Sequence, residues 1–315
     1  MFKYLKNDLP ASIVVFFVAL PLCLGIAVAS DAPPFAGLIA GVIGGILVGS
    51  ISGSDVGVSG PAAGLAAIVL AAIASLGYEA FLVAVVLGGV IQIIFGILKF
   101  GIIGYYFPSS VIKGMLTGIG IIIILKQIPH FFGIDKDPEG NFVLFGKDSN
   151  VFMDIVSIPS NIGLGSTLIA VIAIAILILW SNVLVQKHSI FKLIQGPLVA
   201  VVAGIIFFVF SQGTAFNIAS THLVEVPVPD SIDSFIGQFT FPDFSVISST
   251  EVWITAFTIA LVASLETLLC VEATDKLDPE KRVTPTNREL FAQGSGNIIS
   301  GLIGGIPITQ VIVRS

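Results

Sequence analysis

The sequence predicts an all-α polytopic membrane protein, and three observations carry that prediction. Mean hydropathy is +1.04. Hydrophobic residues make up 55% of the 315 residues and charged residues 11%. The apolar residues gather into about ten continuous runs, most of them near the roughly 20 residues that a helix needs to cross a bilayer. Soluble domains average about 25% charged residues, so a water-facing surface cannot be built from this chain. Continuous apolarity without period-two alternation argues against membrane strands. Disorder needs low hydrophobicity, a nucleic-acid surface needs basic excess and a disulfide scaffold needs many cysteines. The apolar content, the net charge of −6 and the two cysteines exclude all three.

The first run, 10–30, follows Lys3 and Lys6 and holds Ala27-Val28-Ala29, the layout of a secretory signal, but it is longer than a signal core and further spans follow at once. Next come 35–51, 61–76, 80–98 and 108–128, then 164–185 and 197–210, then 252–271, 289–303 and a tenth run opening at Pro307. Charges, prolines and polar clusters separate them. With the N-terminus inside, ten basic residues fall in inner loops (Lys3, Lys6, Lys99, Lys113, Lys187, Lys192, Lys276, Lys281, Arg282, Arg288) and three outside (Lys126, Lys136, Lys147). That asymmetry supports a cytoplasmic N-terminus. Loops 133–163 and 211–251 then lie outside, and the acidity of the second suits solubility. The stretch 278–288 reads as a helical, solvated connector, and Lys126 as a snorkelling side chain. His130, His188 and His222 lack metal-ligand spacing.

Two runs break the pattern. The third is short and opens Val58-Ser59-Gly60-Pro61-Ala62-Ala63-Gly64; the tenth opens Gly304-Gly305-Ile306-Pro307-Ile308-Thr309. In both, glycine precedes a proline that suits a first helical turn, so each reads as extended backbone becoming helix partway through the membrane. Unwound backbone survives at that depth only inside protein or along a wet cavity. A pair of such spans points to a transporter's central site.

At these residues the chain resembles the sulfate permease (SulP) family of inorganic anion transporters. The matching pieces are Ala19-Leu20-Pro21 and Ala27-Val28-Ala29-Ser30, Ser59-Gly60-Pro61, and Pro108-Ser109-Ser110-Val111-Ile112-Lys113-Gly114. Glu225-Val226-Pro227 and Phe241-Pro242-Asp243 follow, then Asn287-Arg288-Glu289-Leu290 with Gln293-Gly294-Ser295-Gly296-Asn297, and last Gly305-Ile306-Pro307-Ile308-Thr309 through Arg314-Ser315. The resemblance implies fourteen spans in two inverted seven-span repeats, with spans three and ten as half-helices meeting at mid-membrane. On that plan residues 1–315 hold about ten of the spans, 1–211 the first repeat and 252–315 the start of the second. The chain is expected to be a fragment without spans eleven to fourteen and the cytoplasmic STAS domain.

Two facing helix N-termini offer unpaired amides and about half a positive charge each, which suits a dehydrated anion. The expected substrate cradle is Ser59, Gly60, Pro61, Ala62 and Ala63 facing Ile308 and Thr309, whose hydroxyl can donate. Arg314, seven residues after Pro307 as in many relatives, is expected to add positive potential. Glu266, in the middle of the eighth run, matches the acidic position that relatives use for cation coupling, with Cys270 and Thr274 on its face. It is expected to carry H+ or Na+, and Cys270, a poor hard-cation ligand, leans the choice towards H+. Leu22 and Ile26 stand where many anion-transporting relatives place Gln and Phe beside the substrate, so this pocket wall is more apolar.

No nucleotide loop, nucleophile triad or metal motif suggests an enzyme. The expected function is secondary active transport of sulfate or bicarbonate, coupled to Na+ or H+, across a bacterial inner membrane. The alternatives are an exchanger or channel of the same fold, or a nucleobase-cation symporter. No nucleic-acid partner is expected; a homodimer is expected for the full-length family member.

Overall fold

The computed structural model describes residues 5–106, 109–134, 162–180, 196–218 and 228–312. The chain divides into two compact units, one of 1–21 with 119–224 and one of 22–118 with 225–315. In the first, α6 (Leu164–Leu179) and α7 (Gly196–Ser211) pack side by side, and a Cβ at Gly204 would lie 3.5 Å from Ile169 Cδ1. Helices α1 (Leu5–Ala29) and α5 (Ser109–Phe132) each contribute residues to both units.

The second unit holds every described residue of the expected site. After α1, the pair Pro33-Pro34 starts α2 (Pro34–Ile51), with proline in the first turn where no amide partner is needed. A π-helical turn, Gly44–Val48, widens α2. A Cβ at Gly44 would come 2.5 Å from the Ser59 carbonyl, so only glycine lets α2 reach the strand β1 (Ser59–Pro61). A 3-10 turn, Ala63–Leu65, then leads into α3 (Ala66–Leu76), a short apolar helix as the third run required. Gly77, at φ 81°, turns the chain into α4 (Tyr78–Ile97). The long α8 (Thr250–Leu277) and α9 (Thr286–Leu302) complete the unit, with the strand β2 (Ile308–Gln310) beyond them.

Packing is inverted relative to a soluble protein. Trp253, Ile254, Phe257 and Leu261 of α8 are exposed, while Val252, Ala256, Ile259, Ala260 and Ala263 on its other face are buried. Polar Gln92, Gln293, Asn297 and Ser300 are buried among them. Apolar residues face outward because the surrounding solvent is lipid. Helices α4 and α9 pack closely together. A Cβ at Gly89 would meet the Gly294 carbonyl at 2.6 Å, and one at Gly294 would meet the Gly89 carbonyl at the same distance.

The stretch between α8 and α9 corrects one expectation, because it is a clasped turn rather than a helix until Thr286. Asp278 accepts Arg282 Nε at 2.7 Å and Nη2 at 3.1 Å, together with the backbone N–H groups of Glu280 and Arg282. Thr284 bonds Asp275 through both its N–H and its hydroxyl. Asp and Thr side chains here compete with helical bonding and win.

Two tests follow from this packing. Gly89→Ala or Gly294→Ala should destabilise the protein by about 1–3 kcal/mol through overpacking against backbone, whereas Gly114→Ala, with open space at its Cβ position, should not; thermal unfolding in detergent measures both. The Arg282 guanidinium and the surrounding N–H groups hold the Asp278 carboxyl well below the usual carboxylate range. Its folded value is depressed, so the clasp contributes fully above the unfolded Asp value of about 3.9 and is lost as pH falls through the folded one. Hydrogen exchange over 278–285 should therefore stay slow from neutral pH down to about pH 4 in the wild type and be faster throughout in Asp278→Asn.

Candidate functional site

The two interrupted spans meet. β1 and β2 form an antiparallel ribbon with Ser59 opposite Gln310, Gly60 opposite Thr309 and Pro61 opposite Ile308. The Val311 N–H donates to the Val58 carbonyl at 2.8 Å and extends the ribbon by one pair. Both strands are buried along their whole length. Backbone groups freed by the broken helices thus find partners in each other, as an apolar surrounding demands.

A chain of side-chain amides holds β2 in place. Asn297 of α9 accepts the Ile308 N–H on Oδ1 at 2.6 Å, and its Nδ2 donates to the Ile308 carbonyl at 3.1 Å and to Gln92 Oε1 at 2.6 Å. Gln92 of α4 donates in turn to Ser264 of α8 at 3.3 Å. Upstream, Ser300 donates to the Ile306 carbonyl at 2.8 Å, and the Tyr78 hydroxyl to the Gly304 carbonyl at 2.8 Å. Gly304 takes φ 87° with a Cβ position 2.6 Å from the Thr240 carbonyl, so no side chain fits at that corner.

Helix α8 also lies against the ribbon. The Glu266 carboxylate lies flush on Gly64, whose missing Cβ would sit 2.9 Å from both carboxylate oxygens, and it takes a hydrogen bond from the Gly64 N–H. Its Oε2 has no partner. Thr267 Oγ1 lies 3.4 Å from the Gln310 N–H, and the Cys270 sulfur accepts the Ile312 N–H. One helix therefore touches the first residues of both half-spans. Thr274, expected to share this chemistry, instead gives its hydroxyl to the Cys270 carbonyl at 2.7 Å.

Among the expected cradle residues, Ser59, Gly60, Pro61, Ala62, Ile308 and Thr309 come together and are buried, with Ala63 half-buried at the start of the turn. Thr309 Oγ1 is buried and has no partner. Ile26 is buried and Leu22 half-buried on α1, while Cys23 packs its sulfur on Gly41 of α2. Arg314 lies outside the described residues. Sequence reading passed over Gln92, Gln293, Asn297 and Gln310 as functional side chains. An amide side chain inside an apolar run needs a buried partner, but the run itself does not say which.

Two interrupted spans crossing in a buried ribbon, with polar side chains gathered around them, define the architecture of secondary transporters built from repeats. The chain belongs to the sulfate permease family, whose profile matches residues 5–315. It is 28% identical over 314 residues to the bicarbonate transporter BicA of Picosynechococcus sp. (97% of this chain, 52% of that protein). It is 31% identical over 311 residues to YvdB of Bacillus subtilis (98% of this chain, 55% of that protein). The chain thus spans about half the length of the curated relatives it matches. Among solved structures, the transmembrane domain of a cyanobacterial BicA matches all of this chain and 76% of that one, with a TM-score of 0.70 at 26% identity. SLC26A9 matches all of this chain and 50% of that one, with a TM-score of 0.65 at 18% identity, and so shares the fold. The inverted-repeat membrane fold expected from the sequence is that of these neighbours.

The amide chain can be tested directly. Asn297→Leu removes both bonds to Ile308 and orphans Gln92, at about 1–3 kcal/mol for each buried group left unpaired. The unfolding midpoint of the full-length protein should fall sharply, while Thr309→Val, which breaks no bond, should leave it unchanged.

Proposed function

We propose that the protein is a secondary active transporter of a small inorganic anion, bicarbonate or sulfate, and that the anion sits where the ribbon gives way to the half-helices. The observation that carries this reading is the ribbon, whose register puts Gly60 opposite Thr309 with a buried, unpartnered Thr309 hydroxyl. An anion leaving water loses several kcal/mol of hydration unless fixed donors replace it. The backbone of Ser59, Gly60, Pro61, Ala62 and Ala63, the backbone of Ile308 and the Thr309 hydroxyl are the donors and walls available, and Arg314 adds positive potential. Ile26 and Leu22 form the apolar wall.

Glu266 is the coupling group in this reading. Its carboxylate occupies the Gly64 amide at the start of the first half-span, so it competes with the substrate for that helix end. Protonation, or pairing with Na+, weakens its hold and opens the amide to the anion. Coupling then needs no large motion, because one carboxylate and one substrate share one donor. The Cys270 thiol beside it is a poor hard-cation ligand, which favours H+. Ile308, Thr309 and Gln310 supply no carboxylate to the second half-span, which speaks against a nucleobase substrate. The membrane is a bacterial inner membrane with the N-terminus inside, and the full-length protein forms a dimer.

The test is uptake of labelled bicarbonate and of labelled sulfate by liposomes holding the full-length protein, across imposed pH and Na+ gradients. Thr309→Val should weaken apparent anion affinity about tenfold or more, the worth of one hydrogen bond to a charged group. Glu266→Gln should remove the dependence on the driving gradient. Unchanged affinity in the first variant and unchanged gradient dependence in the second would overturn the reading.

A further inference from the structure

Ser59 and Gln310 alternate along the strands with Gly60 and Thr309, so they point to the opposite face of the ribbon from the hydroxyl discussed above. The Val58–Val311 pair is hydrogen-bonded, which makes Ser59–Gln310 the non-hydrogen-bonded pair, the one whose side chains stand closest. Gln293 of α9 reaches this face and donates from Nε2 to Ser59 Oγ at 2.7 Å and to Glu289 Oε1 at 2.9 Å. In this network the Gln293 amide turns Nε2 towards Glu289 and Ser59 and Oε1 away from them. Its Oε1 is left buried with no partner, and so are both amide atoms of Gln310. Gln293 is fully buried and Gln310 is 1% exposed.

The buried amide groups share this one side of the ribbon, and each one left unpaired costs about 1–3 kcal/mol. The charged groups nearby are Glu289 and Arg288. Glu289 is buried, held by Ser52 Oγ at 2.5 Å, by the Gly53 N–H and by Gln293. Arg288, its neighbour in sequence, gives Nε to the Ile51 carbonyl at 2.7 Å and is exposed. Acceptor oxygens beside a buried carboxylate repel an anion and suit a hard cation.

We propose that Ser59 Oγ, Gln293 Oε1 and Gln310 Oε1 form a binding site for Na+, with Glu289 supplying the balancing charge from behind Gln293. This site is separate from Glu266. It goes beyond the transport reading, since it gives the protein a place for Na+ even where Glu266 carries H+.

Gln310 is the clean probe, because it makes no side-chain hydrogen bond that a substitution could break. The full-length protein in detergent is titrated with NaCl against choline chloride at constant ionic strength, reading the unfolding midpoint and the binding of labelled Na+. In the wild type and in Glu266→Gln, Na+ should raise the midpoint and bind. In Gln310→Leu the midpoint in choline should be equal or higher, and the Na+ concentration for half-maximal effect should rise at least tenfold. Glu289→Gln should weaken Na+ in the same direction. The proposal is overturned if Na+ has no effect on the wild type, as for a cluster that holds only water, or if Gln310→Leu responds as the wild type does. It is equally overturned if Glu266→Gln alone abolishes binding. Na+ binding that persists in a protein unable to move anions would sink the transport reading and leave this site standing.

Discussion

The constraint on which the rest depends is that no backbone group can go unpaired inside a membrane. Two spans interrupted partway through it expose amides and carbonyls that water would otherwise satisfy. Here the two broken ends satisfy each other, through the three-residue ribbon of Ser59–Pro61 with Ile308–Gln310. The ribbon is short because its task is local, to bridge the gap before the first half-helix begins. Its neighbours are arranged around that need. Asn297 clamps both polar groups of Ile308, and glycines at 44 and 304 let backbone approach where any Cβ would collide.

Around the ribbon the structure separates two kinds of chemistry by strand alternation alone. One face carries the Thr309 hydroxyl, and α8 brings Glu266 and Cys270 to the first residues of the half-spans. The other carries Ser59 and Gln310, tied through Gln293 to Glu289 and the turn after α2. The ribbon thus lies between two buried carboxylates, Glu266 and Glu289. Glu266 reaches Gly64 just after β1, and Glu289 reaches Ser59 of β1 through Gln293.

Much of the fold was legible in the sequence because lipid simplifies the code. Apolar length placed the helices 34–51 and 78–97 within two residues of their observed ends, while the helix expected over 252–271 runs on to Leu277, and Gly-Pro interruptions marked the two spans that break. The candidate site was partly legible for the same reason, since Glu266 and Thr309 stand out in apolar surroundings. The amides of Gln92, Gln293, Asn297 and Gln310 carried no such mark, because an uncharged polar residue in a span reads equally as a kink, a contact or a ligand. The 278–288 connector misled because its Asp and Thr residues bond side chain to backbone locally, and composition does not reveal which bonds win.

The sequence by itself determined that this protein lies in a membrane, where its helices run and which two of them are interrupted, since each of these follows from hydrophobicity and backbone propensity along one segment. Only the tertiary structure decided that Gly60 faces Thr309, that Glu266 rests on Gly64 and that Gln310 pairs with Ser59. Those facts join segments about 200 to 250 residues apart, and their register is set by hydrogen-bond pairing across the ribbon, which no local pattern encodes.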